Sequence, residues 1–285
     1  VCLLEGYEGF YHAPRTQVDS DEGAYTPGAE PTPYPRIEKR SIKFILGTQG
    51  RDAAEWEAIE TRLWWFIKFN RDCVIRVYSM LSGWRELKFR FTRKPRDLLT
   101  RVPGTLTVGV WEIEATAYQP FWESEMLTAS ITKGAMVEEV DPATGELDPG
   151  SGVWQGRIPM WNPADTPLPP EFSSNELTTT TTVWLPDALT DRMVPLPALG
   201  VGKEFYVRTN PLQQTLMVRD NGQDWAKMKA NLFNAEVPAG KITPAMQRIW
   251  IQGGTADTEV MAFYPQLWDR MFGGESSPML ENVEW

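Results

Sequence analysis

One stretch of this sequence, and only one of any length, has a helical period. From Asp52 to Phe69 (DAAEWEAIETRLWWFIKF) apolar residues recur three and four apart, whereas elsewhere they come in short alternating or β-branched runs. A chain so patterned is mainly β with a single substantial helix, expected over 52–69. Asp52 stands three residues before Glu55, a capping-box-like pair that can satisfy the first free backbone N–H groups. Trp56, Ile59, Leu63, Phe66 and Ile67 make one apolar stripe. Trp65 lies about half a turn away at roughly 100° per residue, and Ala54, Ala58 and Phe69 fall beside it as a second stripe. A helix with two apolar faces must bury both, either between two layers of its own chain or against a neighbouring chain. Spacing alone leaves both options open.

Around this helix the first domain, expected over 1–128, reads as strands. CLLEGYEGFYH opens it, without the basic start of a signal peptide, and a polar Pro/Gly-rich loop follows over 13–35. A loop of that length inside a compact domain is usually functional or docked on a partner. RSIKFILG is a strand by alternation; CVIRVYSM and RELKFRFT form a hairpin around Gly83; TLTVGVWEIEATAY is a further strand, with Gly109 placed for a bulge. This last strand runs into Tyr118, Pro120, Phe121 and Trp122. Proline cannot donate to a ladder, so pairing stops there, and the aromatics are expected to seal the domain boundary with Trp122 buried.

Beyond it the pattern changes. Residues 129–156 are turn-rich (VDPATGELDPGSG) and read as a connector; 157–285 are short β-branched or aromatic runs separated by turns about every ten residues, the pattern of a β-sandwich. DNG at 220–222 signals a hairpin turn, and PQLWDRMFGG, with proline at its start and glycine past its end, reads as a short closing helix.

Chemistry is sparse. Two cysteines, Cys2 and Cys73, and the single His12 exclude a disulfide framework, a four-ligand zinc site and most histidine catalysis, and no cofactor is expected. No apolar run approaches the roughly 20 residues of a membrane span. The net charge of −10 is carried almost entirely by residues 131–285, which argues against a nucleic-acid-binding surface there. Thirteen tryptophans and many carboxylates raise a carbohydrate-binding module as the alternative reading, with Trp154, Trp161, Trp184, Trp225 and Trp250 as its candidates. Glu112 with Glu114, or Glu123 with Glu125, could flank a glycosidic bond, but any acidic strand has such spacing. Asp141 and Asp148 lack the carboxylate density of a calcium loop. Arg85 to Arg101 alternates its charges with a core-facing row, as a solvated or subunit-facing strand does.

Taken in order, the strand ending FILG, the helix EWEAIETRLWWF, the pair hinged on GWRELKFRF, the strand EIEATAYQPFWE, and then IPMWNPADTPLPP, GKEFYVRTNPLQQTLMVRDNGQDW and PAGKITPAMQRIWIQGG resemble the distal tail (Dit-like) minor tail proteins of long-tailed, siphovirus-type phages, especially those of actinobacterial hosts. The resemblance implies an N-terminal β-sandwich with one packed helix, followed by a galectin-like jelly-roll. It implies a homohexameric ring at the distal end of the virion tail, surrounding the DNA channel and assembled in the host cytoplasm. The partners it implies are the tail tube protein, tail hub or tip proteins and the tape measure protein; enzymatic activity, a membrane and sequence-specific nucleic acid are not among its implications. On this reading the second helix stripe (Ala54, Ala58, Trp65, Phe69) packs between subunits, and loop 13–35 is an arm on the neighbour.

Overall fold

A computed structural model describes residues 1–17, 20–21, 30–31, 36–99, 107–210, 215–219, 224–228 and 232–274. Tertiary contacts divide them into two units, Val1–Ser124 with Trp268–Gly274, and Glu125–Leu267. Most of loop 13–35, the DNG turn and the side chain of Trp225 lie outside the described residues.

Unit 1 is built from β1 (Cys2–Glu8), β2 (Arg40–Gln49), α1 (Ala53–Phe66), β3 (Cys73–Ser79), β4 (Gly83–Phe91), β5 (Val108–Ala117) and β6 (Trp122–Glu123). The strands pair antiparallel in the order β1–β2–β5–β4–β6, with β3 beside β4 and the returning Trp268 at the far edge. β2 and β5 pair along their whole lengths, from Arg40–Ala117 to Gln49–Val108, and their alternate residues Ile42, Phe44, Ile113 and Ala115 are buried. β4 meets β5 only at Phe91–Ala115 and Arg90–Thr116. Phe89 of β4 packs edge-on against Phe44 of β2, with ring centroids 6.2 Å apart. Gly109 sits in regular register opposite Thr48 and is no bulge. Its reason is steric: a Cβ there would come within 2.7 Å of Glu60 Oε1 on the helix.

The closing helix expected at PQLWDRMFGG is absent; Leu267–Trp268 is a strand and the chain then bends to Gly274. Two buried arginines explain the difference. Arg40 donates to the carbonyl of Asp269 at 2.6 Å, and Arg85 to those of Arg270 at 2.7 Å and Gly273 at 2.8 Å. Arginines from β2 and β4 thus hold three backbone carbonyls past Trp268 along a non-helical path, while Trp268 lies against the Arg85 guanidinium at 4.0 Å.

Unit 2 contains β7 (Leu127–Thr132), β8 (Val153–Asn162), β9 (Glu171–Ser174), β10 (Thr181–Pro186), β11 (Phe205–Arg208), β12 (Leu216–Val218), β13 (Lys241–Gly253) and β14 (Glu259–Tyr264). Among the described residues they form two five-stranded sheets: β7–β14–β9–β11–β12, and Glu138–Glu139, β8, β13, β10, Met193–Pro195. Inward residues of both sheets, among them Ile158, Phe172, Val183, Val207, Ile251 and Val260, make one buried core. Residues 129–156, read above as a connector, belong to this sandwich: Ala129 and Ile131 pack on its core, and Val140 and Val153 are buried with Trp250. Their turn-rich composition marks a tight antiparallel reversal joining Val140 to Leu147.

Candidate subunit interface

The helix starts where its cap dictates. Asp52 Oδ1 accepts the backbone N–H of Glu55 at 2.9 Å, and the Arg51 side chain pairs with Glu55. Its inner face is fixed by a group that spacing did not reveal. The buried carboxylate of Glu60 accepts the indole N–H of Trp111 at 2.9 Å, that of Trp64 at 3.1 Å and the hydroxyl of Thr48. Two of these neutral donors, Thr48 on β2 and Trp111 on β5, tie the helix to the sheet, while the third, Trp64, lies on the helix itself and meets Trp111 edge-on at 5.2 Å. The one sequence signal was a glutamate beside the inner stripe, four residues before a tryptophan.

The second stripe faces outward. Ala54 and Ala58 are exposed, Trp65 is 62% exposed and Phe69 47%. Phe66, placed by its spacing on the core stripe, is 60% exposed and joins this outer patch. The helix ends at Phe66 and Ile67 turns into extended backbone, so Ile67 enters the core in its place. Trp65 and Phe66 meet edge to face at 5.5 Å, and Arg71 lies over Trp65 at 5.3 Å.

Trp65 and Phe66 of the patch also line an apolar groove of about 1120 Å³, whose lining includes Leu63 and Ile67 of the helix end, Ile75 and Val77 of β3, Leu3 and Tyr7 of β1, and the buried Phe44, Phe89 and Ile113. Arg62, Arg71 and Arg76 stand among its lining residues. At the end of the β3–β4 hairpin, Met80 and Leu81 are each 93% exposed, above Tyr78 and Trp84, whose rings lie 5.2 Å apart. Gly83 turns the hairpin with φ +65, and Ser79 Oγ accepts the N–H of Ser82 at 2.9 Å.

The four aromatic-rich residues after β5 divide. Trp122 is fully buried, donating its indole N–H to the carbonyl of Phe10 at 3.2 Å, and the carbonyl of buried Pro120 accepts from Arg40 at 2.6 Å. Phe121 is half-buried, while Tyr118 is 64% exposed and lies outside any seal. Trp122 is a core residue of unit 1, whose contiguous stretch closes two residues later at Ser124.

The carboxylates weighed for sugar chemistry are mostly tied to cations. Glu112 pairs with Lys43 and Arg96, Glu114 with Arg93, and Glu123 with Lys88, while Glu125 is exposed. The Lys43 partnership holds the Glu112 carboxyl below the usual carboxylate range, so it stays ionised and is a poor proton donor. Asp141 is spent on its own turn, accepting from the Ala143 N–H and the Thr144 hydroxyl. Trp154 and Trp161 pack on the unit 2 core, Trp184 packs beside buried Trp250, and Trp250 donates to Gln155 at 2.9 Å.

No family model matches the chain. It is 23% identical to the minor tail protein Gp27 of mycobacteriophage L5, across 96% of this chain and 93% of that protein. Among solved structures it superposes on the Dit protein (gp 19.1) of phage SPP1, described as a paradigm of the hub adsorption apparatus in phages infecting Gram-positive hosts. That match has a TM-score of 0.56 and 10% identity, and covers 92% of each chain. A second similar structure is the phage P2 baseplate in its activated conformation, with a TM-score of 0.49, 9% identity, and 92% and 91% coverage.

Proposed function

We propose, from the premise that this chain is a Dit-like relative of phage minor tail proteins, that it is a structural protein of the tail tip. Unit 1 assembles as a homohexameric ring that joins the tail tube to the receptor-binding apparatus and surrounds the DNA channel. Unit 2, a galectin-like jelly-roll, offers the platform on which other tail-tip proteins dock. The tape measure and tail hub proteins complete the set of partners, and the particle is put together in the host cytoplasm. No catalytic step belongs to this reading.

One observation carries it: unit 1 leaves uncovered the apolar face formed by Trp65, Phe66 and Phe69. Exposed aromatic residues gathered on one element mark an interaction surface, and a rotationally symmetric assembly covers the same residues on every copy. Mass photometry and negative-stain microscopy of the purified chain, alone and beside its tail tube protein, test the reading. Closed rings are expected. A monomer at every concentration, with no ring even in the presence of the tube protein, overturns it.

A further inference from the structure

Unit 1 carries two apolar features on different elements, one convex and one concave. The convex one is the tip of the β3–β4 hairpin, where Met80 and Leu81 are 93% exposed and no charged residue stands between Arg76 and Arg85. The concave one is the groove of about 1120 Å³ between the helix and β3, whose lining includes Cys73 but no residue from Tyr78 to Trp84. At about 3.3 Å per strand residue, Leu81 lies roughly 20 Å or more along the hairpin from Cys73. A copy therefore cannot bring its own Leu81 to its own Cys73.

We propose that the hairpin tip of one copy seats in the groove of the next, with Met80 and Leu81 entering and Trp84 covering the rim. The proposal rests on the ring reading and names its contact. The area suffices. Trp65 and Phe66 in the groove lining, Phe69 close to them in sequence, and Tyr78 and Trp84 next to the tip are all between 47% and 62% exposed. At roughly 150–250 Å² for a fully buried aromatic ring, these five with Met80 and Leu81 offer on the order of 800 Å² counted over both partners, and the exposed groove residues Val1, Leu3 and Val74 bring the contact to about the 1,000 Å² that a specific interface must clear. One tip and one groove on different parts of the same surface make a head-to-tail contact, which closes into a ring when the rotation allows.

The native groove thiol provides the test. In a Cys2→Ser background, Leu81→Cys is treated with a short bismaleimide or a mild oxidant, and the products are separated under denaturing conditions. A covalent ladder running to the size of the assembly, and lost in Leu81→Cys combined with Cys73→Ser, is the expected result. A ladder that stops at dimers keeps the seat but replaces the ring by a reciprocal pair. In parallel, Met80→Asp with Leu81→Asp is expected to raise the concentration needed for assembly at least tenfold while leaving the circular dichroism spectrum unchanged. If the wild-type chain forms rings, yet the cysteine variant gives no ladder and the aspartate variant assembles at the wild-type concentration, the seat is wrong and the ring survives. If the wild-type chain never assembles, ring and seat fall together.

Discussion

The two units spend their aromatic residues differently. Unit 2 turns Phe172, Phe205 and Tyr264 inward until each is at most 1% exposed, and among its described residues the large exposed apolar ones, such as Val137 and Leu147, are not aromatic. Unit 1 buries Phe44, Phe89 and Trp122 but leaves Trp65, Phe66, Tyr78 and Trp84 about 60% exposed. Two facing sheets satisfy their own apolar surface, whereas one sheet with one helix has two apolar helix faces and only one sheet to cover them. The first can stand as a module; the second, on the proposed reading, is completed by other copies.

The largest effects are expected where a buried side chain is removed from either unit. Phe172→Ala removes a fully buried ring stacked near Phe233, at 6.4 Å, and is expected to destabilise unit 2 by about 3–5 kcal/mol. Urea titration followed by tryptophan fluorescence checks this; a loss below about 1 kcal/mol would mean that the sandwich is not the self-sufficient module described. Next comes Arg40→Met in unit 1. Its guanidinium serves the carbonyls of Gly9, His12, Pro120 and Asp269, and burial pushes its pKa down to about 10, so it remains charged at neutral pH. Methionine fills the space but strands those acceptors. A loss of about 3 kcal/mol in unit 1 is expected, with the unit 2 transition unmoved, as read by hydrogen exchange in β2 and β13.

How far the chain was legible follows from the range of the interactions. The helix start was readable because its cap is three residues long, from Asp52 to Glu55. The β3–β4 hairpin was readable because Gly83 and the alternation flanking it are local. The outward stripe of Ala54, Ala58, Trp65 and Phe69 was also visible as periodicity, although Phe66 was misplaced because spacing does not say where a helix stops. The return of the chain to unit 1 was not legible. Arg40 meets Asp269 across 229 residues and Arg85 meets Arg270 across 185, and no local pattern announces that a buried arginine will collect carbonyls. Glu60 escaped for a related reason: its partners Trp111 and Thr48 lie on two different strands.

Trp65→Ser tests the other side of the comparison. Because that ring is 62% exposed, losing it is expected to move the stability of the isolated chain by no more than about 0.5 kcal/mol. The same change should weaken assembly by about 2 kcal/mol, the scale of a buried aromatic anchor at an interface. Sedimentation over a concentration series separates the two effects. A variant that unfolds more easily but assembles normally would show that Trp65 belongs to its own unit and not to a neighbour.

The smallest expected effects are those of pH, and they too divide by unit. In unit 1 the Glu112 carboxyl is held below its ordinary range by its hydrogen bond to Lys43, with burial acting the other way and the charges of Lys43 and Arg96 adding to the lowering. A depressed folded pKa means stability that is complete above the unfolded carboxylate value of about 4.3 and is lost as pH falls through the folded one. Glu112→Gln should therefore flatten the acid limb of unit 1 without removing it, since Arg51 lowers Glu55 in the same way. In unit 2 burial raises the Tyr264 phenol, which donates to the carbonyl of Pro159 at 2.7 Å. A raised folded pKa works in the opposite direction: its contribution is present below the unfolded tyrosine value of about 10 and is lost as pH rises beyond it, because only the unfolded chain then ionises freely. Tyr264→Phe should cost unit 2 about 1 kcal/mol at neutral pH by stranding that carbonyl. It should also reduce the alkaline slope, leaving the share due to Tyr206, whose phenol burial likewise raises. Thermal melts at pH 7 and across pH 9 to 11 measure both, and an unchanged alkaline slope in Tyr264→Phe would remove this phenol from the account of how the sandwich holds its core closed.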